Sequence, residues 1–190
     1  MKFDAAYYNR FYENPATRAA SAEEQAVLAN FVSAYLEYLD VNVTSILDLG
    51  CGLGELLHGL HQAFPNARAT GVDISEYLCK RYGWQLGSVV DFTGDAHDFV
   101  ICSDVLGYLS DRECAKAIQN LANLCNTALY LSVLTEEDLD ICDAEHTDMQ
   151  QIARPYNWYK TRLNKHFVAV GGGLFLRKPL RATVWRLERS

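Results

Sequence analysis

The stretch that decides the fold is "TSILDLGCGLGELL", residues 44–57. A short apolar run contains Asp48 near its end, and three glycines follow at alternate positions, Gly50, Gly52 and Gly54. An apolar, helix-like segment begins directly after them. A strand, a glycine-rich turn and a helix in this order are typical of the loop that binds a ligand at the carboxyl end of a doubly wound sheet. Glycine in such a turn allows left-handed backbone angles and a close approach between main chain and ligand.

Strand and helix patterns alternate along most of the chain. Apolar and β-branched runs predict strands at 45–49, 69–74, 87–92, 98–106 and 128–134. Helical spacing and capping residues predict helices at 3–12, 21–39, 54–64, 75–83 and 111–126. Because the strands are apolar on both faces, we expect a mostly parallel sheet that is covered by helices on both sides.

Composition and charge exclude several classes of protein. The chain has 190 residues, of which 49% are hydrophobic and 22% charged, as is ordinary for one globular domain. We expect a cytoplasmic protein with no membrane association, since no apolar run approaches the roughly 18–20 residues of a membrane span and the N-terminus lacks a secretory signal. The net charge of −7 disfavours nucleic acid as a partner. Basic residues collect from Arg154 onward. We interpret them as balancing the acidic charge of the rest of the chain and not as attracting an anionic substrate.

Metal and disulfide sites are not indicated by the cysteines and histidines. The six cysteines form no CxxC pair, and His58 and His61 share a predicted helix without a third ligand nearby. We therefore predict no metal ion. The sequence carries no signal for the oligomeric state.

The spacing of the glycines discriminates between ligands. Dinucleotide-binding loops use GxGxxG, whereas this turn is GxGxG and Glu55 occupies the last position. A phosphate would be an unfavourable neighbour for Asp48 and Glu55, but an ammonium group would not. Asp73 ends the second strand in "GVDIS" and, about twenty residues after the turn, can accept both hydroxyls of a ribose. The pattern predicts a nucleoside with a positively charged, non-phosphate tail, and S-adenosylmethionine has that chemistry.

Four motifs, "ILDLGCGLGELL", "GVDIS", "GSVVDF" and "ICSDVLGYLSD", resemble the successive motifs of the class I S-adenosylmethionine-dependent methyltransferases. The chain is also similar to small bacterial methyltransferase-domain proteins of unassigned substrate. The resemblance implies S-adenosylmethionine as cofactor and S-adenosylhomocysteine as product. It also implies a role for each matching residue: Asp48, Gly50, Cys51, Gly52 and Gly54 for the methionine part, Asp73 for the ribose, Ile74, Ser88 and Val89 for the adenine, and Ser103 beneath the sulfonium.

The predicted architecture is a single methyltransferase domain, 1–190, of the α/β class. It is a Rossmann-like, doubly wound, mostly parallel seven-stranded sheet with an antiparallel edge strand and helices on both faces. We expect a helical cap in residues 1–42, the cofactor-binding core in 43–134 and a substrate-side insertion in 135–166. Residues 167–190 are expected to form a closing β-hairpin whose two strands are joined at Pro179.

A small molecule, methylated on oxygen or nitrogen by in-line displacement, is the predicted acceptor. No catalytic residue is identified, and the candidates are His146, Tyr108 and Asp104. The aromatic residues Tyr7, Tyr8, Phe11 and Tyr12 share a helical face that either packs on the sheet or covers the pocket as a lid. Three alternatives stay open: a protein or RNA acceptor, a nicotinamide-dependent oxidoreductase, for which GxGxxG is missing, and a cofactor-binding module without catalysis.

Overall fold

The computed structural model describes residues 3–184 of the chain. Seven strands form one sheet: β1 (Ser45–Leu49), β2 (Arg68–Asp73), β3 (Gln85–Leu86), β4 (His97–Ser103), β5 (Cys125–Ser132), β6 (Phe167–Gly171) and β7 (Leu174–Arg177). Their order across the sheet is β3-β2-β1-β4-β5-β7-β6. Strands β1 to β5 are parallel, and β7 is antiparallel to both β5 and β6. The predicted mostly parallel, seven-stranded sheet is confirmed, and its one antiparallel strand, β7, lies just inside the β6 edge.

Two helices precede the first strand, α1 (Ala5–Tyr8) and α2 (Ala22–Tyr38). The helices that connect strands are α3 (Glu55–Ala63), α4 (Glu76–Tyr82), α5 (Asp111–Leu124) and α6 (Tyr156–Leu163). A π-helical turn, Asn9–Glu13, continues α1. Helix α2 begins with a capping box in which Ser21 and Glu24 each accept the other's backbone N–H, and a second capping box begins α5 at Ser110. Both helices begin where the capping residues of the sequence predicted them to begin.

The core has two parts, one on each face of the sheet. Successive residues of a strand point to opposite faces, so Ile46 packs with α2 and α3 while Leu47 packs with α5 and α6. The same alternation holds in β4, where Phe99 packs on the face of Ile46 and Val100 on the face of Leu47. The side chains of all four residues are fully buried. Apolar residues on both faces therefore require helices on both faces, as the sequence predicted.

The prediction of a third strand at 87–92 is wrong. The strand that pairs with β2 is the two-residue β3, Gln85–Leu86, which lies immediately before it. Residues 88–92 instead form a turn, in which Phe92 N–H donates to the Ser88 carbonyl and Val90 N–H to the Ser88 Oγ. The side-chain bond of Ser88 to the backbone two residues ahead competes with strand pairing. The fourth strand also ends earlier than expected, at Ser103, because Asp104 adopts a left-handed φ of 56°.

The closing hairpin is present, but its turn is not at Pro179. Strands β6 and β7 are joined at Gly172 and Gly173, which have φ of 59° and 76°. Two-residue hairpin turns favour glycine because both central residues need positive φ. Packing adds a further constraint, since a Cβ on Gly172 would lie 2.4 Å from the Phe31 ring. Residues 178–184 form no strand, and the remainder of the predicted hairpin, 185–190, lies outside the described residues.

Among residues 3–184, none of the helices has the length and apolar character that crossing a membrane requires.

Candidate active site

Two adjoining cavities open at the carboxyl ends of the parallel strands. The chain runs from β1 outward to β3 and then returns to β4 on the other side of β1, which makes the β1–β4 boundary the topological switch point. The larger cavity has a volume of about 560 Å³ and the smaller one about 120 Å³. They share wall residues, among them Gly52, Tyr12 and Tyr108, so together they form one elongated site.

The turn after β1 holds three glycines in left-handed conformations. Gly50, Gly52 and Gly54 have φ of 87°, 55° and 81°. A Cβ on Gly50 would lie 2.3 Å from Cγ2 of Val105, and one on Gly54 would lie 2.5 Å from the Trp84 ring. A Cβ on Gly52 would meet only the Tyr12 ring, at 3.6 Å. Protein packing thus accounts for the outer two glycines, while Gly52 faces the cavities.

Asp73, at the end of β2, accepts hydrogen bonds from neighbouring donors. Its carboxylate is 5% exposed and accepts the backbone N–H of Gly52 at 3.0 Å and that of Ser75 at 2.8 Å. The Tyr8 hydroxyl lies 3.5 Å from the same carboxylate. Asp73 therefore anchors the glycine turn to the second strand, and it also lines the smaller cavity.

Asp48, at the end of β1, is in the opposite situation. Its side chain is 3% exposed and lines the larger cavity, and none of the described residues donates a hydrogen bond to its carboxylate. Burial, together with the negative charge of Asp73, raises the pKa of the Asp48 carboxyl to about 8. A buried carboxylate without donors is unfavourable by several kcal/mol when it is ionised. A cationic ligand in the cavity would remove that penalty.

The residues expected near an adenine lie together on the wall of the smaller cavity. Ile74 is 50% exposed there, and Val89 is buried beside Ser88. Ser88 reaches this position from the turn that follows β3, not from a strand. The structure thus brings these three residues beside Asp73, as their motif positions suggested.

Ser103, the last residue of β4, and Asp104, which follows it, line both cavities. The Ser103 hydroxyl lies 2.8 Å from the Ser132 hydroxyl and donates to Asp104 at 3.2 Å. Cys51 lies on the wall of the larger cavity, and burial raises the pKa of its thiol. The thiol therefore stays protonated, so Cys51 can contribute shape and backbone to the site but no thiolate.

The N-terminal aromatic residues lie over the site. Tyr7 and Tyr12 line both cavities, Phe11 the larger one and Tyr8 the smaller one. The rings of Tyr7 and Tyr8 pack edge to face, with centroids 5.3 Å apart. Of the two possibilities that the sequence left open, packing on the sheet or covering the pocket, the second describes their position.

Tyr108 is held by a hydrogen-bond cluster that sequence reasoning did not find. Its hydroxyl donates to Asp148 at 3.0 Å and lies 2.8 Å from the Tyr7 hydroxyl. Burial and the nearby Asp148 charge raise the pKa of Tyr7 to about 12, and burial likewise raises that of Tyr108. Tyr108 is therefore a neutral phenol at physiological pH. Residues so far apart in sequence give no local signal of their contact.

His146 lies on the rim of the larger cavity. Its Nδ1 is 3.0 Å from Oδ2 of Asp143, and the side chain is 38% exposed. If Nδ1 carries the proton, Nε2 is left as an acceptor. The three catalytic candidates, His146, Tyr108 and Asp104, are all on the walls of one cavity.

Arg154 is a further residue whose position the sequence did not indicate. Its side chain is 4% exposed, and its guanidinium donates to the carbonyls of Leu106 and Leu109, on either side of Tyr108. It also donates to Asp111 at 2.8 Å, which ties the 3₁₀ turn Leu106–Tyr108 to the start of α5. A basic residue in the C-terminal part of the chain thus holds a wall of the site and is not a surface charge.

Comparisons with known proteins agree with this geometry. A family model described as a methyltransferase domain matches residues 19–170. The 8-hydroxyquercetin 8-O-methyltransferase of Mentha piperita is 28% identical over 153 residues, which cover 69% of this chain and 41% of the relative. The cephaeline 6'-O-methyltransferase of Carapichea ipecacuanha is 28% identical over 107 residues, covering 53% of this chain and 30% of the relative. The chain thus spans less than half the length of the two curated relatives that it matches.

Solved structures share the fold. The magnesium protoporphyrin IX methyltransferase of Synechocystis, crystallised with S-adenosylhomocysteine, has a TM-score of 0.68 and 20% identity, covering 93% of this chain and 96% of that one. DesVI of Streptomyces venezuelae has a TM-score of 0.56 and 21% identity, covering 72% of this chain and 61% of that one. At these identities, the similarity concerns the architecture of the sheet and its helices.

Proposed function

This chain belongs to the class I methyltransferases, and we propose that it binds S-adenosylmethionine and transfers a methyl group to oxygen or nitrogen of a small-molecule acceptor. The observation that carries the proposal is the carboxylate of Asp48, which is 3% exposed, faces the larger cavity and has no donor among the described residues. A ligand with an ammonium group completes this site, and a phosphate ligand does not.

The residues present fit S-adenosylmethionine along the whole elongated site. Asp48 would hold the amino group of its methionine part, with Gly52 allowing close approach of the main chain. Asp73 would hold the ribose with lone pairs that its backbone donors leave free. Ile74 and Val89 would enclose the adenine in the smaller cavity. Because Gly50 and Gly54 have no side chains, Val105 and Trp84 can pack against the turn and support it.

Bound S-adenosylmethionine supplies an activated methyl group on a sulfonium, so the protein needs chiefly to align the acceptor and exclude water. The aromatic rings of Tyr7, Phe11 and Tyr12 would exclude water from above the site. Tyr108, as a neutral phenol that donates its proton to Asp148, would orient the acceptor by accepting a hydrogen bond from it. His146, paired with Asp143, is the residue suited to take a proton from a hydroxyl acceptor.

A small molecule is the acceptor that the site supports best. The larger cavity extends beyond the glycine turn to Asp138, Asp143 and Gln151, which lie in the segment between β5 and α6. We propose that residues 43–134 bind the cofactor, 135–166 recognise the acceptor, 1–42 cover the site and the hairpin after 167 closes the sheet. The curated relatives are named as methyltransferases of 8-hydroxyquercetin and cephaeline, which supports an acceptor of this size. An RNA acceptor is disfavoured, since none of the described cavity-lining residues is Lys or Arg.

Isothermal titration calorimetry with S-adenosylhomocysteine tests cofactor binding, and a metabolite screen that follows S-adenosylhomocysteine release tests turnover. We expect binding at micromolar or lower concentrations of the product, and turnover with an uncharged or cationic small molecule. Absence of binding would overturn the proposal. Binding without turnover against any acceptor would favour a non-catalytic cofactor module.

A further inference from the structure

The two cavities of the site are separated by aromatic side chains. Residues that line both cavities form the boundary between them, and among these are Tyr7 and Tyr12 from the N-terminal segment, residues 3–13. The proposed position of S-adenosylmethionine runs from Ile74 in the smaller cavity to Asp48 in the larger one, so it crosses this boundary. The smaller cavity, with about 120 Å³, is also well below the roughly 300 Å³ at which ligand pockets begin. The N-terminal segment therefore occupies part of the space that the ligand needs.

Tyr12 fills the space in front of Gly52. The Tyr12 ring lies 3.6 Å from the position that a Cβ on Gly52 would take, which is van der Waals contact. No ligand atom fits between this ring and the main chain. The Tyr12 ring also packs against the ring of Tyr8, with centroids 5.3 Å apart. A ligand that approaches the main chain at Gly52 therefore has to move the Tyr12 ring away.

Tyr8 lies in front of a second contact of the proposed ligand, the carboxylate of Asp73. A carboxylate offers about four lone-pair sites to hydrogen-bond donors. The backbone N–H groups of Gly52 and Ser75 take two of them. The Tyr8 hydroxyl, 3.5 Å from Oδ1, lies before a third, whereas a ribose that donates with both of its hydroxyls needs the two that remain. The ribose and the Tyr8 hydroxyl therefore compete for the same carboxylate.

The N-terminal segment is attached in a way that permits it to move. Among the described residues, no backbone–backbone hydrogen bond joins this segment to residues 21–184. Side chains make the attachment: Ser75 Oγ donates to the Phe3 carbonyl at 2.8 Å, and the Tyr7 hydroxyl lies 2.8 Å from that of Tyr108. Displacing the segment therefore breaks side-chain contacts and leaves the backbone hydrogen bonds of the sheet intact.

We infer that the N-terminal segment is a self-inhibitory plug, which occupies the cofactor groove of the free protein and has to be displaced before S-adenosylmethionine binds. The inference rests on the proposed function, since it concerns the entry of the ligand to that site. A ligand that binds only the open form has an apparent affinity reduced by the fraction of molecules that are open. An open form populated at about 10% or less therefore slows association at least about tenfold. Once the ligand is bound, the aromatic rings can return over it and exclude water.

The association kinetics of S-adenosylhomocysteine test the plug. The variant Tyr12→Ala removes the ring in front of Gly52, and the fold tolerates the loss because Tyr12 is 37% exposed. The association rate constant, measured by surface plasmon resonance on the immobilised full chain, should rise at least about tenfold over that of the parent protein. The matched control is Tyr38→Ala, which removes an exposed ring from the last residue of α2, before the amino end of β1. It should associate like the parent.

A second variant, Tyr8→Phe, keeps the ring and removes the hydroxyl that competes for Asp73. Because that hydroxyl lies at the limit of a hydrogen bond, the association rate constant should rise only about twofold. Equal association rate constants in the parent, Tyr12→Ala and Tyr8→Phe, or an equal rise in Tyr12→Ala and Tyr38→Ala, would overturn the plug and leave the proposed function standing. Absence of binding to the parent and to every variant would overturn the proposed function and the plug with it.

Discussion

The carboxyl ends of β1 and β2 each present a buried aspartate to the site, and the two are in opposite states. Asp73 on β2 accepts two backbone N–H groups within 3.0 Å, one of them from Gly52. Asp48 on β1 accepts none from the described residues, although it is equally buried. The comparison separates two functions of buried charge. Asp73 holds the glycine turn in place, whereas Asp48 lacks hydrogen-bond donors, which a ligand can supply.

The largest effect is expected from Asp48→Asn in the protein without cofactor. The pKa of Asp48 is raised to about 8, so its ionisation costs folding free energy that begins to accumulate above the ordinary pKa near 4 and is complete above 8. The asparagine should therefore raise the melting temperature at pH 8 by roughly 10 °C, corresponding to about 3–5 kcal/mol, and by much less at pH 5.

The same variant should bind S-adenosylhomocysteine at least about tenfold more weakly, because the partner of the ammonium group has lost its charge. Melting curves at the two pH values and calorimetric titration measure the two effects. A variant that is less stable than the parent at pH 8 would show that Asp48 is satisfied in the free protein, and the contrast with Asp73 would disappear.

The next largest effect is expected from Gly50→Ala, which tests why the end of β1 needs glycine. The left-handed φ of 87° and the 2.3 Å approach to Val105 should together cost about 3 kcal/mol of stability. Gly83→Ala is the matched control, since Gly83 has φ of 78° and nothing within 4 Å of an added Cβ. The stability of Gly83→Ala, measured by chemical denaturation, should fall by about 1 kcal/mol because of backbone strain alone. Equal losses in the two variants would remove packing as the reason for Gly50.

Asp73→Ala should destabilise the protein by about 2 kcal/mol, opposite in sign to Asp48→Asn, because it leaves the buried N–H groups of Gly52 and Ser75 without acceptors. The affinity for S-adenosylhomocysteine should also fall by about 10- to 100-fold, since the glycine turn loses its anchor. Urea denaturation and calorimetry measure both. Unchanged stability would mean that the anchor is not needed.

The smallest effect is expected from Tyr8→Phe, at the same end of β2. The Tyr8 hydroxyl is 3.5 Å from Asp73, at the limit of a hydrogen bond, and the two backbone donors remain when it is removed. The loss should be about 0.5 kcal/mol, comparable to that of the exposed control Tyr38→Phe. A loss of stability as large as that of Asp73→Ala would show that the Tyr8 hydroxyl, and not the two backbone N–H groups, is the main hydrogen-bond partner of Asp73.

Sequence reasoning succeeded where one local pattern determines the outcome. The β1 run, the alternating glycines and the helix starts at Ser21 and Ser110 each depend on neighbouring residues, and each lies where it was expected. It failed where the local sequence was compatible with two different structures. The apolar run 87–92 has strand composition, but the Ser88 side chain bonds to its own backbone and the segment forms a turn.

The candidate site was predictable only in the same local sense. Asp48 and Asp73 could be found from their positions at the ends of strands, but their opposite hydrogen-bond states depend on how the Gly52 N–H is directed. The contacts of Tyr108 with Asp148, and of Arg154 with the carbonyls around Tyr108, join segments about 40 residues or more apart in sequence. A single sequence carries no periodicity or spacing that reports such contacts.

Proton release on binding of S-adenosylhomocysteine tests the central claim, the incomplete state of Asp48, most directly. The measurement is calorimetric titration at pH 7 in buffers of different ionisation enthalpy, with Asp48→Asn as the control. If the pKa of Asp48 is about 8 in the free protein and falls when an ammonium group binds, about one proton is released per ligand, and none in the variant. Binding without proton release in the parent protein would contradict the account.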